Sequence, residues 1–460
     1  MNQFIETIFS MFGSAMILAA FAVLLMVGGV WLYHRKRGEE IRWKRLILWM
    51  LFVGYLAVLA YATVLRGGGD FGRTNLHLFM AWREAWNNFS VRNWGNVLLN
   101  IALFIPMGIL VPLVFPKCRG LWMVLVAVGS TLLVECTQLF VGFSVFDVDD
   151  LFTNALGGLM GYCLLLAVLS VNERKWYAGT AWFLLAMIPV AAVGSIFAAY
   201  ALQPYGNLPD DYIYRTNTDG VEWILEGQLP ENPETAAVYK APSRTKAECD
   251  AYAAAFWVGG YDDIYYYDDD IYYRDYDTNG RMFYLTVSKR DGSFDVWTML
   301  NEIDFEEEMI CADMERAELE TVLAQYGVTI PAEAEFLGLT ERGLIYRAET
   351  LLTENGLLDG ECCVEVNEDG TYLSVYNELV TYTYCAEETV LSPEEAYRRM
   401  QAGYFNEWWF QNRQPEQVMV MACTLDYTLD TKGFYQPVYR FEMNTPGWEN
   451  SVTVMIPAIK

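Results

Sequence analysis

Residues 96–162 decide the fold of the N-terminal part of the chain, because three apolar runs there carry polar side chains. Residues 96–115 read NVLLNIALFIPMGILVPLVF, residues 121–142 read LWMVLVAVGSTLLVECTQLFVG, and residues 143–162 read FSVFDVDDLFTNALGGLMGY. Each run approaches the roughly 20 residues that a membrane-spanning helix needs. A charged side chain in hydrocarbon costs roughly 2.5–3.5 kcal/mol on insertion scales, so acids embedded in such runs indicate a functional site.

Six apolar runs of spanning length occupy the first 204 residues. They lie at about 9–33, 46–65, 96–115, 121–141, 151–171 and 176–200. The first run is too long for a signal peptide, and its positive charge lies on the wrong flank. We therefore predict a polytopic α-helical membrane domain over residues 1–204 with about six spans. The aromatic loop at 66–95 suits an interfacial helix or an ordinary aromatic belt.

The charge of the chain is divided very unevenly. Residues 1–204 hold 14 Lys and Arg against 10 Asp and Glu, a net charge of +4, whereas residues 205–460 hold 17 against 48, a net charge of −31. The second part has too many aromatic and β-branched residues for a disordered acidic tail. It also excludes nucleic acid as a partner, because phosphate binding needs a basic surface.

The positive-inside rule gives the orientation of a six-span topology. Six of the Lys and Arg residues lie in the loop 34–45, and four more are Lys117, Arg119, Arg174 and Lys175, all on one side. The opposite side has only Arg66, Arg73, Arg83 and Arg92 in its short loops. An excess of Lys and Arg marks the cytoplasmic side, so we predict that both termini lie outside a bacterial cell membrane. The acidic domain at 205–460 is then extracytoplasmic.

The acidic part has the pattern of an α+β domain, with two or more subunits as an open prediction. Helical periodicity occurs at 247–257, 315–327 and 392–405, and Ser392 is a predicted helix N-cap. Strand-like runs occur at 281–290, 292–300, 362–368, 370–378, 418–429, 436–443 and 451–458. The Asp-Gly pairs at 291–292 and 369–370 predict hairpins.

Residues 259–277 read GGYDDIYYYDDDIYYRDYD, which alternates Tyr and Asp. This pattern favours a solvated, charge-protected hairpin. Calcium binding through Asp oxygens and sugar binding through Tyr faces are the alternatives.

The motifs LFIPMGIL, VECTQLF and FDVDDLFTNALGGLMGY resemble the VanZ-like (teicoplanin-resistance) membrane family over about residues 46–170. The resemblance implies a role in resistance to glycopeptide antibiotics such as teicoplanin. The family often has an Arg shortly before the acidic run, where this chain has Ser144, so Arg66 or Arg73 is the candidate counter-ion.

The predicted site collects the polar residues near the outer ends of three spans. The candidate ligand-binding residues are Asn96, Asn100, Glu135, Gln138, Asp147, Asp149, Asp150, Asn154 and Arg66. Helical spacing puts Asn96 with Asn100, and Asp150 with Asn154, on shared faces. Their amides and carboxylates suit the polar head of a membrane lipid, a lipid-linked envelope precursor or a glycopeptide antibiotic.

Two further functions stay open. Glu135 and Asp150 are the candidate acid and base of a membrane enzyme acting on a lipid-linked wall precursor. Alternatively, the membrane part anchors an envelope sensor. The sequence contains no CxxC, HExxH, P-loop or dinucleotide motif, so we predict no cofactor and no metal site. The nine cysteines lack a small-scaffold spacing, which favours free or only partly paired thiols.

Overall fold

The computed structural model describes residues 2–38, 40–65, 74–141, 146–208, 216–256, 261, 263–276, 282–299, 311–325, 327–366, 373–405, 410, 414–446 and 451–460. The chain divides into two compact units, residues 1–85 with 90–203, and residues 86–89 with 204–460. The first unit is helical and the second is rich in strands. This confirms the predicted class, a helical membrane region followed by a mixed α and β region.

The first unit is built almost entirely of helices. They are α1 (Asn2–Arg37), α2 (Trp43–Ala60, extended by a π-helical turn at Tyr61–Leu65), α3 (Met80–Asn88, whose last three residues are counted with the second unit), α4 (Val91–Val114), α5 (Leu121–Val141), α6 (Val148–Asn172) and α7 (Trp176–Leu202). Two short strands, β1 (Thr74–Asn75) and β2 (Phe146–Asp147), pair in parallel. The six predicted spans correspond to α1, α2 and α4–α7.

Among the residues that the structure describes, five helical segments are long and apolar enough to cross a membrane. They are the segments Ala15–Arg37, Trp43–Thr63, Val91–Val114, Val148–Asn172 and Trp176–Leu202, and the described part of α5 is an apolar but shorter segment, Leu121–Thr137. In the most apolar 18-residue stretch of α4 and of α6, 44% of the residues are buried within the unit. The corresponding fraction is 6–11% for α1, α2 and α7. Helices α4 and α6 therefore form the centre of this unit.

Glycines allow α4 and α6 to pack backbone against backbone. A Cβ atom built on Gly157 would lie 2.0 Å from the carbonyl oxygen of Ile101, and one on Gly161 would lie 2.0 Å from that of Ile105. On the facing helix, a Cβ on Gly108 would lie 2.0 Å from the carbonyl oxygen of Gly158. Small residues at four-residue spacing permit such close approach in membrane helices. This contact fixes the relative position of the two helices that carry Asn100, Asp150 and Asn154.

With bounds that lie in the described residues, the second unit has three helices and fourteen strands. The helices are α8 (Lys246–Phe256), α9 (Arg316–Gln325) and α10 (Pro393–Gln401). The strands are β3 (Glu222–Leu225), β4 (Thr235–Lys240), β5 (Asp263–Tyr267), β6 (Asp270–Tyr276), β7 (Met282–Ser288), β8 (Phe294–Met299), β9 (Glu335–Thr340), β10 (Gly343–Thr353), β11 (Gly356–Val366), β12 (Leu373–Asn377), β13 (Val380–Thr389), β14 (Gln417–Leu429), β15 (Phe434–Asn444) and β16 (Val452–Pro457).

All fourteen strands belong to one hydrogen-bonded sheet. Its main path runs β3-β14-β15-β4-β13-β11-β12-β8-β7-β6-β5, with β16 beside β15, β10 beside β11 and β9 beside β10. Among the described strand pairs of this sheet, β14 and β3 form the one parallel pair. One apolar core includes Leu319 and Leu323 of α9 with Leu285 and Val364, and a second includes Met400 of α10 with strands β14–β16.

The predicted helices and hairpins of this unit are present. The strand pairs β7–β8 and β11–β12 are antiparallel neighbours at the two Asp-Gly positions. Ser392 caps α10, since its Oγ accepts a hydrogen bond of 3.2 Å from the Glu395 N–H. Strands β5 and β6 form the hairpin predicted within residues 259–277. All nine cysteines lie in the described part of the chain, and each is a free thiol.

Candidate functional site

The side chain of Glu135 connects α5 to the residue that precedes α6. Glu135 lies six positions before the end of α5, roughly 9 Å at the helical rise per residue. Its Oε2 accepts a hydrogen bond of 3.1 Å from the Asp147 N–H. The side chain is 1% exposed within the unit. A carboxylate is therefore held inside the unit beside the start of the next helix.

Asp147 connects three parts of the first unit. Its Oδ1 accepts a hydrogen bond of 2.8 Å from the Asp149 N–H, which makes it the N-cap of α6. Its Oδ2 accepts a bond of 3.1 Å from Nδ2 of Asn75. Burial raises the pKa of the Asp147 carboxyl above its ordinary value, although these two hydrogen bonds oppose the shift. Asn75 lies on β1, which pairs with the strand that contains Asp147.

Asp149 caps a different helix from the one it belongs to. Its two carboxylate oxygens accept hydrogen bonds from the backbone N–H groups of Phe79 and Ala81, the latter at 2.6 Å. These groups lie at the start of α3, where N–H groups have no partner within the helix. The Asp149 side chain is fully buried. Its carboxylate is thus engaged in fixing the segment before α4.

Asp150 and Asn154 follow one face of α6. The Nδ2 of Asn100, on α4, donates a hydrogen bond to Oδ1 of Asp150. Asn154 lies one turn further along and is 3% exposed. Its Oδ1 has no hydrogen-bond partner among the described residues. A buried amide oxygen without a donor is unusual in a folded protein, because it loses its bond to water without replacement.

Residues 45–170 match the VanZ/LLP1 family model. This confirms the resemblance predicted from the sequence over about residues 46–170. The matched region covers α3, α4, α5 and nearly all of α6, and it contains both partners of every hydrogen bond described in this subsection. No curated protein matches the chain. The chain is thus a membrane protein with a VanZ-like region in its first unit, and its second unit lies outside that match.

The VanZ-like region brings together most, but not all, of the predicted site residues. Glu135 accepts a hydrogen bond from the Asp147 N–H, and Asp147 accepts one from the Asp149 N–H. Asp150 follows Asp149 in α6 and accepts a hydrogen bond from Asn100. Asn96 lies one turn before Asn100 on α4 and is exposed. The predictions for Arg66, Arg73, Ser144 and the side chain of Gln138 fall outside the described residues.

Sequence reasoning missed Asn75, which bonds to Asp147 across 72 positions of the chain. Nothing in the local pattern around Asn75 indicates that contact, since it depends on the pairing of two two-residue strands. The same aromatic loop, residues 66–95, contains α3, which agrees with a short helix there.

Four of the described side chains of the VanZ-like site are carboxylic acids, namely Glu135, Asp147, Asp149 and Asp150. Every donor that the described residues offer to the four carboxylates is uncharged, namely backbone N–H groups and the amides of Asn75 and Asn100. The described His, Cys, Asp and Glu residues form no group of three or more with metal-binding geometry. The arrangement offers hydrogen-bond acceptors to hydroxyl, amide and ammonium groups.

Proposed function

We propose that the VanZ-like region binds the polar head of an amphiphile at the outer leaflet and thereby contributes to teicoplanin-type glycopeptide resistance. The ligand class is a lipid-linked envelope precursor or a lipoglycopeptide. The observation that carries this proposal is the group formed by Glu135, Asp150, Asn100 and Asn154, which lies at one end of three packed apolar helices. An amphiphile can present its head to such a group while its chain stays among lipid.

Burial argues against a purely structural role for these side chains, in which they would only hold the helices together by hydrogen bonds. A buried carboxylate loses hydration that is worth several kcal/mol, and uncharged hydrogen bonds restore only part of that loss. Amide pairs can join helices, but carboxylates within a membrane usually mark a functional pathway or ligand site. Asn154 adds an acceptor that no described residue fills. Sugar hydroxyls, peptide N–H groups and amines of a wall precursor or lipoglycopeptide supply donors of the required kind.

Asp149 and Asp147 support the site in this proposal. Asp149 binds the backbone at the start of α3, and Asp147 caps α6 and bonds to Asn75. Both residues fix the segments around Glu135 and Asp150, so we assign them to positioning the site. Glu135, Asp150, Asn100 and Asn154 are assigned to the ligand.

The proposed orientation places this end of the helices outside the cell. The ten Lys and Arg residues of loops 34–45, 117–119 and 174–175 lie at the opposite ends of the spans. The positive-inside rule then makes the segment between α5 and α6, residues 142–147, and residues 205–460 extracytoplasmic. Glycopeptides act from that side, so a ligand site there is accessible to them.

The test compares teicoplanin susceptibility of a sensitive Gram-positive host that expresses wild type or Glu135→Gln at matched membrane levels. The control is Glu173→Gln, which changes an exposed carboxylate paired with Lys175 at the far end of α6. We expect wild type and Glu173→Gln to raise the inhibitory concentration and Glu135→Gln to abolish the increase. Equal protection by all three proteins would contradict the assignment of Glu135.

A second measurement separates binding from catalysis. Purified protein in nanodiscs is mixed with a lipid-linked wall precursor, and both binding and the chemical state of the lipid are followed. Saturable binding without a new product supports the proposal. If wild type converts the lipid into a product and Glu135→Gln does not, the protein is an enzyme and the binding proposal is wrong.

A further inference from the structure

One face of the second unit carries a row of aromatic side chains across neighbouring strands. Strands β5, β6, β7, β8 and β12 are consecutive in the sheet. Their other face contributes Ile271, Leu285, Val296 and Val375 to the apolar core. We define the aromatic face by the residues that alternate with these core positions: Tyr265, Tyr267, Tyr272, Tyr284, Trp297 and Tyr376.

The rings of this face touch one another from strand to strand. The ring centroids of Tyr284 and Trp297, which are directly paired across β7 and β8, are 5.0 Å apart. Those of Tyr272 and Tyr284 are 5.8 Å apart, and those of Tyr267 and Tyr272 are 6.4 Å apart. Four strands thus carry a continuous row of rings.

The tyrosines at the β5 end of this row are open to solvent, and so is Tyr376 on β12, the strand next to β8. Tyr267 is 50% exposed, Tyr265 47% and Tyr376 41%. Cross-strand aromatic pairs stabilise sheets, which accounts for the half-buried pair Tyr284–Trp297. Side chains that remain half exposed gain much less from burial, and contiguous exposed apolar surface marks binding sites.

Polar groups lie between and beside the rings. Arg274 forms a 2.5 Å ion pair with Asp263 and donates a 2.6 Å hydrogen bond to the Tyr265 hydroxyl. Its guanidinium also lies 5.2 Å from the centre of the Tyr265 ring. Asp295 stands opposite Tyr376 in the β8–β12 register. Planar rings flanked by carboxylate and guanidinium groups match a sugar, which has apolar C–H faces and a rim of hydroxyls.

We propose that the aromatic face binds an uncharged glycan chain. The charge of the second unit selects this ligand class, because a net charge of −31 over residues 205–460 repels phosphate-containing and other anionic polymers. A glycan without charge meets no such repulsion, and its hydroxyls can donate to Asp263 and Asp295. The row of rings over several strands provides stacking positions for successive sugar units.

The test measures binding of two uncharged probes, chitohexaose and cellohexaose, to the full-length protein in nanodiscs by isothermal titration calorimetry. The variants are Trp297→Ala, Tyr284→Ala and Tyr267→Ala, with Tyr267→Phe retaining the ring. The matched control is Tyr384→Ala on β13, which removes a tyrosine that is 56% exposed outside the aromatic face. Thermal unfolding of each protein checks that it is folded.

Wild type, Tyr267→Phe and Tyr384→Ala are expected to bind at least one probe with similar affinity. Each alanine variant of the aromatic face should bind about tenfold more weakly, which corresponds to about 1.4 kcal/mol. If Trp297→Ala does not fold, the exposed position Tyr267 still decides the outcome. The proposal is overturned if wild type binds neither probe or if folded variants of the face bind as wild type does. It is also overturned if they change only self-association, since the face would then join two copies of the chain.

Discussion

The side-chain amide of Asn100 on α4 donates a hydrogen bond to the carboxylate of Asp150 on α6, fifty positions later in the chain. The same two helices touch through Gly157 and Gly161, so their separation is set independently of this bond. Packing alone therefore positions Asn100 and Asp150, and their side chains are not needed to hold the helices together and can bind a ligand. Asn154, one turn beyond Asp150, leaves its Oδ1 without a donor from the described residues.

Changing the two partners separately should distinguish stability from function. Asn100→Leu removes the donor and leaves the Asp150 carboxylate unpaired, so we expect a loss of about 1–2 kcal/mol in the free energy of unfolding. Asp150→Asn keeps an acceptor oxygen for Asn100 and removes the charge, so stability should change little while teicoplanin protection is lost. Reversible denaturation in mixed detergent and inhibitory concentrations provide the two measurements. Full protection by Asp150→Asn would remove Asp150 from the ligand site.

Close packing of α4 and α6 should make Gly157 intolerant of any side chain. Gly157→Ala places a methyl group where the Ile101 carbonyl oxygen lies, and overpacking of this kind costs about 1–3 kcal/mol. Gly129→Ala on α5 is the control, since nothing lies within 4 Å of its added Cβ. We expect a lower unfolding temperature for Gly157→Ala only. Equal unfolding temperatures would show that the helices are further apart than described.

The cap that Asp149 provides predicts a structural effect of its removal. Asp149→Ala leaves the N–H groups of Phe79 and Ala81 without their acceptor, and loss of a helix cap costs about 0.5–2 kcal/mol. Asn96→Ala changes an exposed residue of α4 and should stay within about 0.5 kcal/mol of wild type. Unfolding in mixed detergent compares the two. A drop for Asn96→Ala as large as that for Asp149→Ala would indicate that Asn96 has a partner.

The helices of the first unit were predictable because apolar length is a local property. The run at 121–141 is matched by α5 (Leu121–Val141). Helix α4 begins earlier than its apolar run, at Val91, because the Ser90 hydroxyl caps it by accepting a 3.1 Å bond from the Asn93 N–H. The bond from Asn75 to Asp147 and the capping of α3 by Asp149 connect positions about 70 apart. Such contacts depend on how distant segments pack together, and a local sequence pattern does not predict this.

Two long strands were missed for a physical reason. In β10 the pairing with β11 shifts between Ala348 and Leu351, and in β13 the pairing with β4 shifts between Tyr384 and Ala386. A bulge of this kind interrupts the alternation of apolar and polar residues by which a strand is recognised. The order of the fourteen strands was not predictable either, because hairpin signals identify only neighbours that follow each other in the chain.

Asp295 predicts a pH-dependent effect in the second unit. Burial raises the pKa of its carboxyl above the ordinary value. The charged form is therefore less favourable in the folded protein than in the unfolded chain, and the resulting loss of stability develops as pH rises through the folded pKa. Asp295→Asn removes this loss, so we expect the variant to unfold at a higher temperature than wild type at pH 7.

The difference between wild type and Asp295→Asn should shrink as pH falls from the raised folded pKa towards the ordinary pKa of an aspartate, about 3.9. It should vanish below that value, because both side chains are then uncharged. Glu354→Gln, at an exposed turn between β10 and β11, is the control and should follow wild type at every pH. Thermal unfolding across pH 3.5–8 records the three proteins. A difference for Asp295→Asn that is constant over this range would contradict the assignment.

Thiol labelling in intact cells decides the proposed orientation. Cys385 on β13 is an exposed free thiol in the second unit, whereas Cys118 lies between Lys117 and Arg119 in a loop of the proposed cytoplasmic side. A membrane-impermeant maleimide should label Cys385 in intact cells, and Cys385→Ser should remove that signal. Cys118 should react only after the cells are permeabilised.

Buried Cys362 is the control for the labelling experiment. Burial raises the pKa of its thiol to about 12, and the thiolate is the reactive form. Cys362 should therefore stay unlabelled in both cases until the protein is denatured. Labelling of Cys118 but not Cys385 in intact cells would reverse the orientation and would move the acidic site of the VanZ-like region to the cytoplasmic side, where an extracellular glycopeptide cannot reach it.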